Sequence, residues 1–281
     1  MKNNTPLALR LVRWVFPKLE LISSSLALTY FEKIFFTPIR YKATPREGAC
    51  ELLARKEKIY AAGKEIQTYE WGNPALPYVL VIHGWAGRAT QFRKFVPVFN
   101  DAGFRVLGFD GPAHGQSEGK RTDISEFSIV LQTIIKQKGI PQAIITHSFG
   151  GGVALYSIMN GLPVTKLINV ASPTIADEII KSYLKAIGGS WKTGEQFKKL
   201  VAKKYGKPFE EFTAMYFVKR ITNLRLMLVH DTDDRDVSIV QAQELVKAYP
   251  QAFLLTTHGL GHNRILKDDS VITECLNFVR N

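Results

Sequence analysis

Short apolar runs recur along the chain from about residue 78, and most are separated by segments of helical length. The runs lie at 78–83, 105–110, 143–147, 166–170, 224–230 and 252–257. They are rich in Val, Ile, Leu and Phe, which is typical of buried strands. Upstream, residues 58–72 alternate around Gly63 and predict a hairpin. The pattern therefore predicts an α/β fold with a mainly parallel eight-stranded sheet and helices on both faces.

One connection is too long for this alternation. Residues 173–223 separate two predicted strands and are helix-like and lysine-rich, with Gly188, Gly189 and Gly194 in the middle. We interpret this segment as an inserted helical cap. Residues 58–281 are then the main domain, and residues 1–57 form a separate helical segment.

The N-terminal segment has the pattern of an interfacial helix. Residues 7–16 (LALRLVRWVF) set Arg10 and Arg13 among Leu, Val, Trp and Phe. The run is too short to span a bilayer, and its arginines interrupt any signal-peptide core. We expect three prolines to break the region into short helices: Pro6, Pro17 and Pro38. Two interpretations stay open: the helices pack on the main domain or on a second subunit, or residues 7–35 contact a membrane surface.

The charge of the chain, +12, is concentrated in two places. Residues 1–60 carry 11 Lys/Arg against 5 Asp/Glu, and residues 174–220 carry 10 against 5. A basic field can attract anionic partners, but no nucleic-acid-binding motif is present, so we expect no nucleic-acid partner. Cys50 and Cys275 are too few for a disulfide framework, which favours buried thiols and a cytoplasmic setting.

Conspicuous polar residues follow the predicted strands, and the carboxyl ends of parallel strands meet at one edge of a sheet. Ser148 stands there, between a β-branched run and three glycines. A serine hydroxyl becomes nucleophilic when a histidine takes its proton and a carboxylate orients that histidine. His262 and a loop with four aspartates, among them Asp231, Asp233 and Asp234, are candidates for these roles. A helix-capping serine is the alternative for Ser148.

Several ordered motifs resemble those of the α/β-hydrolase superfamily over roughly residues 58–281. The motifs are HGWAG, DGPAHGQS, HSFGG, HDTDDRDV and GLGHNRIL. The resemblance implies Ser148 as the nucleophile on a strand–elbow–helix turn, His262 as the general base and Asp234 as the acid. Three residues depart from the family pattern: Thr146 and Asp231, where glycine is usual, and Ser238, where proline is usual.

The same resemblance implies an oxyanion hole made of the backbone N–H groups of Trp85 and Phe149. Four further residues are expected to support these turns: His83, Gly84, His147 and Gly150. We expect the two histidines to order the turns and not to transfer protons. His258 and His262 have metal-ligand spacing only on a helix, and Gly259 with Gly261 favours a loop, so we expect no metal.

The sequence thus predicts a serine hydrolase that cleaves a carboxylic ester or thioester of a small molecule through an acyl-enzyme, without a cofactor. An acyltransferase, a C–C or peptide hydrolase with the same three residues, and a non-catalytic binding protein on the same fold remain alternatives. A homodimer and a peripheral location at the membrane also stay open.

Overall fold

Eight strands form one sheet in the computed structural model, which describes residues 7–281 and the side chains from residue 9 onward. The strands are β1 Arg55–Ala61, β2 Lys64–Trp71, β3 Tyr78–Ile82, β4 Arg105–Phe109, β5 Ala143–His147, β6 Lys166–Val170, β7 Arg225–Asp231 and β8 Phe253–Thr257. Their order is β1-β2-β4-β3-β5-β6-β7-β8, with β2 antiparallel to β1 and β4 and every other neighbouring pair parallel. The predicted sheet is confirmed.

Helices cover both faces of this sheet. The α-helices of the described chain are α1 Leu7–Ile22, α2 Ser24–Phe35, α3 Pro45–Leu52, α4 Phe95–Asp101, α5 Ile124–Lys138, α6 Phe149–Met159, α7 Ala176–Ile187, α8 Trp191–Tyr205, α9 Ala214–Val218, α10 Val240–Ala248, α11 Gly261–Arg264 and α12 Asp269–Arg280. One apolar layer contains Phe127 of α5 and Val153 of α6, and the other contains Phe99 of α4 and Ile272 of α12. All five residues of β3 are buried, because the strand is covered from both sides.

The chain divides into two units. One contains the described residues before Pro38 together with Ile175–Thr213, and the other contains Pro38–Thr174 and Ala214–Asn281. This division differs from the predicted boundary at residue 57 and from the predicted insertion at 173–223. Residues after 37 belong with the sheet because they bond to it: Trp71 Nε1 donates to the Cys50 carbonyl at 2.8 Å, and Arg40 donates to several carbonyls of the loop after β4.

The smaller unit has its own core. Helix α1 packs on α7 and α2 packs on α8, with Phe16, Phe31 and Phe197 fully buried between them. The rings of Phe31 and Phe197 meet edge to face at 5.1 Å. The Glu20 carboxylate accepts hydrogen bonds from the backbone N–H and the hydroxyl of Ser190, at 3.0 and 2.9 Å. The N-terminal helices and the insertion therefore share one core.

The expectation that Pro17 ends a helix is wrong, because α1 continues through it to Ile22. Proline lacks an N–H, so the Arg13 carbonyl loses its partner in the helix. A Cβ on Gly188 would lie 3.2 Å from that carbonyl oxygen, which shows how closely the neighbouring segment approaches. The burial of Phe16 beside the proline outweighs the lost hydrogen bond.

Cys50 and Cys275 are both free and buried, and burial raises the pKa of each thiol, to about 11 and about 12. Within the described residues, no helix combines the length and the apolar character needed to cross a membrane.

Candidate active site

Ser148 occupies a sharp turn between β5 and α6. Its backbone has φ 51° and ψ −120°, a conformation that costs a non-glycine residue about 1–3 kcal/mol. Its N–H donates to the Val170 carbonyl of β6 at 2.8 Å, which fixes the turn against the sheet. The hydroxyl does not cap α6, so the capping alternative has no support. The side chain is half-buried at the carboxyl end of β5.

Glycines allow the backbone to approach this turn closely. A Cβ on Gly84 would lie 2.9 Å from the Ser148 Cβ and 3.1 Å from His147 Nδ1. A Cβ on Gly150 would lie 2.5 Å from the Ile82 carbonyl oxygen. Real Cβ atoms do not approach this closely, so both positions require glycine as long as the turn keeps this geometry.

Thr146, which stands where the family pattern has glycine, is fully buried and hydrogen-bonded. Its Oγ1 lies 2.7 Å from Asn169 Oδ1 and 3.1 Å from the Ile168 carbonyl oxygen, both on the neighbouring strand β6. The β-branched residue therefore fits because its side chain turns toward β6 and finds polar partners there.

Asp234 and His262 form a direct pair. His262 Nδ1 donates to Asp234 Oδ2 at 2.8 Å, and Asp234 Oδ1 accepts the N–H groups of Asp236 and Val237 at 2.8 and 2.9 Å. Burial alone would raise the pKa of Asp234, but these hydrogen bonds outweigh it and hold the pKa below its usual range. The carboxylate is therefore ionised at neutral pH and fixes the proton of His262 on Nδ1, which leaves Nε2 as an acceptor.

The neighbouring aspartates have other partners. Asp231 Oδ2 accepts the hydroxyl of Thr257 at 2.7 Å and the N–H of Leu260 at 3.0 Å. Asp233 Oδ2 accepts the N–H of Gly259 at 3.0 Å. These two carboxylates brace the loops after β7 and β8, and Asp234 is the one that meets His262.

His147 connects the serine turn to the histidine loop. Its Nε2 donates to the His262 carbonyl at 2.8 Å, and the two imidazole rings lie 4.7 Å apart. Burial lowers the pKa of His147 to about 3, helped by the nearby His262, so the ring is neutral at pH 7. Since His147 directly precedes Ser148, this contact brings the elements that carry Ser148 and His262 together.

Two backbone N–H groups beside Ser148 are free to bind an oxyanion. Trp85 lies in a tight turn closed by a hydrogen bond from Gly87 N–H to the Gly84 carbonyl, at 2.9 Å, and Phe149 is the first residue of α6. Neither N–H has a hydrogen-bond partner among the described residues, as expected at a turn corner and in the first turn of a helix. The two side-chain rings pack edge to face at 5.1 Å, which keeps the segments together.

Two buried histidines hold the turn around Trp85. His83 Nε2 accepts the Gly111 N–H at 2.8 Å, so its Nδ1 donates to the Gly84 carbonyl at 2.7 Å. His114 Nε2 accepts the N–H of Ala86 at 3.1 Å. Burial lowers the pKa of His83 to about 4 and that of His114 to about 3, so both remain neutral hydrogen-bonding groups.

Sequence reasoning assigned no role to His114, Asp110 or Arg40. The Asp110 carboxylate is buried and accepts the N–H groups of Ala89 and Gln116 at 2.9 and 2.8 Å. Burial raises its pKa despite these bonds. Arg40 donates to carbonyls on the loop after β4. The position of Asp110 at a strand end was a usable signal, but nothing near Arg40 in the sequence points to this loop.

Asp234, Asp236 and His262 place one ligand-type atom each within 4.8 Å of one another. Both Asp234 oxygens already accept N–H groups, however, and one of these donors is His262 itself. The proximity of the three residues is therefore explained by the pair that Asp234 forms with His262. His258 lies outside α11, so it shares no helical face with His262.

Comparisons with known proteins identify the fold family of this chain. A family model described as the alpha/beta hydrolase fold matches residues 77–267. A monoacylglycerol lipase of Mycolicibacterium smegmatis is 32% identical over 83 residues, covering 27% of this chain and 30% of the relative. Among solved structures, the Pyrococcus furiosus esterase Pf2001 is similar with a TM-score of 0.67 and 19% identity, over 87% of this chain and 97% of that one. The thioesterase domain from the curacin biosynthetic pathway is similar with a TM-score of 0.61 and 16% identity, over 81% of this chain and 99% of that one.

The chain belongs to the α/β hydrolase fold family, since the family model covers more than half of it. The chain spans about a third of the length of the first curated relatives that it matches: 35%, 30% and 35% of their sequences. The solved structures, all below 25% identity, support the fold alone.

Proposed function

We propose that this protein is a serine hydrolase that cleaves a carboxylic ester or thioester through an acyl-enzyme. The observation that carries the proposal is the 2.8 Å pair of Asp234 and His262, joined through His147 to the strained turn of Ser148. A strained backbone at a half-buried polar side chain is typical of a functional site. The choice of an ester is further supported by the lipase activity named for the Mycolicibacterium smegmatis relative.

In the first step, His262 Nε2 takes the proton of Ser148 as Oγ attacks the acyl carbon. Asp234 stays ionised, holds the imidazole in the required tautomer and stabilises the imidazolium that forms. The negative charge that develops on the acyl oxygen is stabilised by the N–H groups of Trp85 and Phe149. Because these donors are fixed by a closed turn and by a helix start, they need no reorganisation during the reaction.

In the second step, His262 returns the proton to the leaving alcohol or thiol, which departs as the acyl-enzyme forms. Water then attacks the acyl-enzyme while His262 takes a proton from it. His262 passes this proton to Ser148 Oγ as the carboxylic acid leaves. An acyltransferase would use an alcohol or amine in place of this water.

The proposal is tested by initial rates on p-nitrophenyl esters from acetate to palmitate, with wild type and Ser148→Ala compared. We expect hydrolysis that disappears in the variant, and a chain-length optimum that reports the size of the acyl site. Ser125→Ala is the matched control, because Ser125 lies in the first turn of α5 and its side chain makes no hydrogen bond among the described residues.

A fluorophosphonate probe gives a second measurement that does not depend on the choice of ester. We expect one covalent adduct on wild type and Ser125→Ala, located at Ser148 by peptide mass spectrometry, and none on Ser148→Ala. Ester hydrolysis that survives Ser148→Ala, or an adduct at another serine, would contradict the assignment. Adding alcohols during turnover separates the alternatives, since an acyltransferase would form the new ester in preference to the free acid.

A further inference from the structure

Helix α1 has two apolar faces, and only one of them is buried. Val12, Phe16 and Leu19 pack into the core of the smaller unit. The opposite face carries large side chains that are exposed, and we call them the exposed stripe: Leu11, Trp14, Val15, Leu21 and Ile22. Their spacing of three, four and seven residues places them along one side of the helix. A second apolar side on a helix that already has a core marks an interaction surface.

Helix α2 extends this surface. Leu26 and Tyr30 lie one turn apart on α2 and are both exposed, at 57% and 37%. Three residues of the stripe are more exposed still: Leu21 at 88%, Ile22 at 80% and Trp14 at 64%. Scattered single apolar residues on a surface are ordinary, but these exposed side chains are concentrated on two consecutive helices.

The charges around the stripe have one sign. Arg10, Arg13, Lys18 and Lys33 are exposed on α1 and α2. The acidic residues of these helices, Glu20 and Glu32, turn to other partners: Glu20 accepts from Ser190, and Glu32 pairs with Lys204 at 2.7 Å. Lys18 lies four residues after Trp14 and four before Ile22, on the same side of the helix as the stripe, and its Nζ is 3.0 Å from the centroid of the Trp14 ring.

This combination selects one kind of partner. Leucine, isoleucine and tryptophan side chains flanked by lysine and arginine suit the boundary between lipid headgroups and acyl chains. A second copy of this chain is a poor partner for the surface, because the contact would bring basic side chains together without acidic ones to pair with them. We propose that α1 and α2 form a docking surface for an anionic lipid bilayer, with the exposed stripe inserted among the headgroups and the basic residues contacting the phosphates.

The test is sedimentation of the full chain with vesicles of phosphatidylcholine alone and with vesicles that also contain phosphatidylglycerol. We expect wild type to bind the anionic vesicles. Leu21→Ser/Ile22→Ser should lower the partition coefficient at least about tenfold, because two apolar side chains that enter the bilayer on binding are replaced by polar ones. Leu52→Ser/Leu53→Ser is the matched control, because these residues are also adjacent and exposed, at 83% and 79%, but lie in α3 and just after it. The control should bind as wild type does.

A charge variant tests the second part of the proposal. Arg10→Gln/Lys18→Gln should lower binding to the anionic vesicles by roughly fivefold per residue and lose most of the salt dependence. Circular dichroism and ester hydrolysis confirm that each variant is folded, because none of these residues belongs to the candidate site.

Three results would overturn the proposal. The first is that wild type binds neither kind of vesicle. The second is that Leu21→Ser/Ile22→Ser and the control Leu52→Ser/Leu53→Ser lose binding equally. The third is a dimer in gel filtration that dissociates in Leu21→Ser/Ile22→Ser, which would assign the stripe to a second copy of the chain.

Discussion

Replacing Asp234 by asparagine tests the assigned acid with very little change in shape. The asparagine Oδ1 can still accept the N–H groups of Asp236 and Val237, now 2.8 and 2.9 Å from Asp234 Oδ1. Its NH₂ group would then face His262 Nδ1, where the carboxylate Oδ2 accepts at 2.8 Å in wild type. Two donors cannot share this contact, so His262 would move its proton to Nε2. In that tautomer, the base cannot accept the proton of Ser148.

We expect kcat of Asp234→Asn on the best p-nitrophenyl ester to fall by about 10⁴-fold, as when the same tautomer error is introduced in a serine protease. This corresponds to about 5 kcal/mol of lost transition-state stabilisation. The free energy of unfolding should change much less, by about 1–2 kcal/mol, because a charged hydrogen bond is lost but the backbone partners are kept. The assays are steady-state kinetics and urea unfolding of the same preparation.

Asp231→Asn is the matched control, since Asp231 is buried at the end of β7, three residues before Asp234, and its Oδ2 accepts from Thr257 and Leu260. It should lose stability and keep most of its kcat. The reasoning is refuted if Asp234→Asn stays within tenfold of wild type while Asp231→Asn loses activity, because Asp231 would then orient His262.

Three further predictions follow from packing and charge. Gly84→Ala should lower kcat about 10²-fold, because the added Cβ displaces the serine turn. Gly48→Ala is the control and should leave kcat unchanged, since a Cβ there meets nothing within 4 Å. Equal values of kcat in the two variants would contradict this prediction. Thr146→Val should lower the free energy of unfolding by about 1–3 kcal/mol in a urea titration, because Asn169 Oδ1 loses its buried donor; an unchanged midpoint would show that the contact is dispensable. The pKa of Asp234 is below its usual range, so its contribution to stability is present above the ordinary aspartate pKa and is lost as the pH falls through the lowered one. The difference in melting temperature between wild type and Asp234→Asn should therefore narrow as the buffer is acidified below about pH 4, and a difference that widens would have the wrong sign.

The sheet could be predicted from the sequence because each buried strand is a local pattern. The run at 143–147 coincides with β5, and the run at 166–170 coincides with β6. Local periodicity determines such elements since both faces of a parallel strand are covered and the whole run is apolar. The helix through Pro17 was missed because its stability comes from Phe16 packing against distant residues, which no local pattern reports.

The site could be predicted only in part. The family resemblance indicated Ser148, His262 and Asp234. Because neighbouring aspartates share the same segment, only hydrogen bonding distinguishes Asp234 from them. The shared core of the N-terminal helices and the insertion was also out of reach. Contacts such as that of Glu20 with Ser190 join segments far apart along the chain, and composition carries no information about them.

The shared core of the smaller unit also sets an order of events during synthesis. Helices α1 and α2 leave the ribosome before the sheet does, but the helices that cover Phe16 and Phe31 are complete only at Tyr205. At about 5–20 residues per second, the two helices wait roughly ten to thirty seconds with both apolar sides uncovered. During that interval the apolar side chains of α1 and α2 are accessible to chaperones, and the strands between Arg55 and Val170 can assemble before the smaller unit closes.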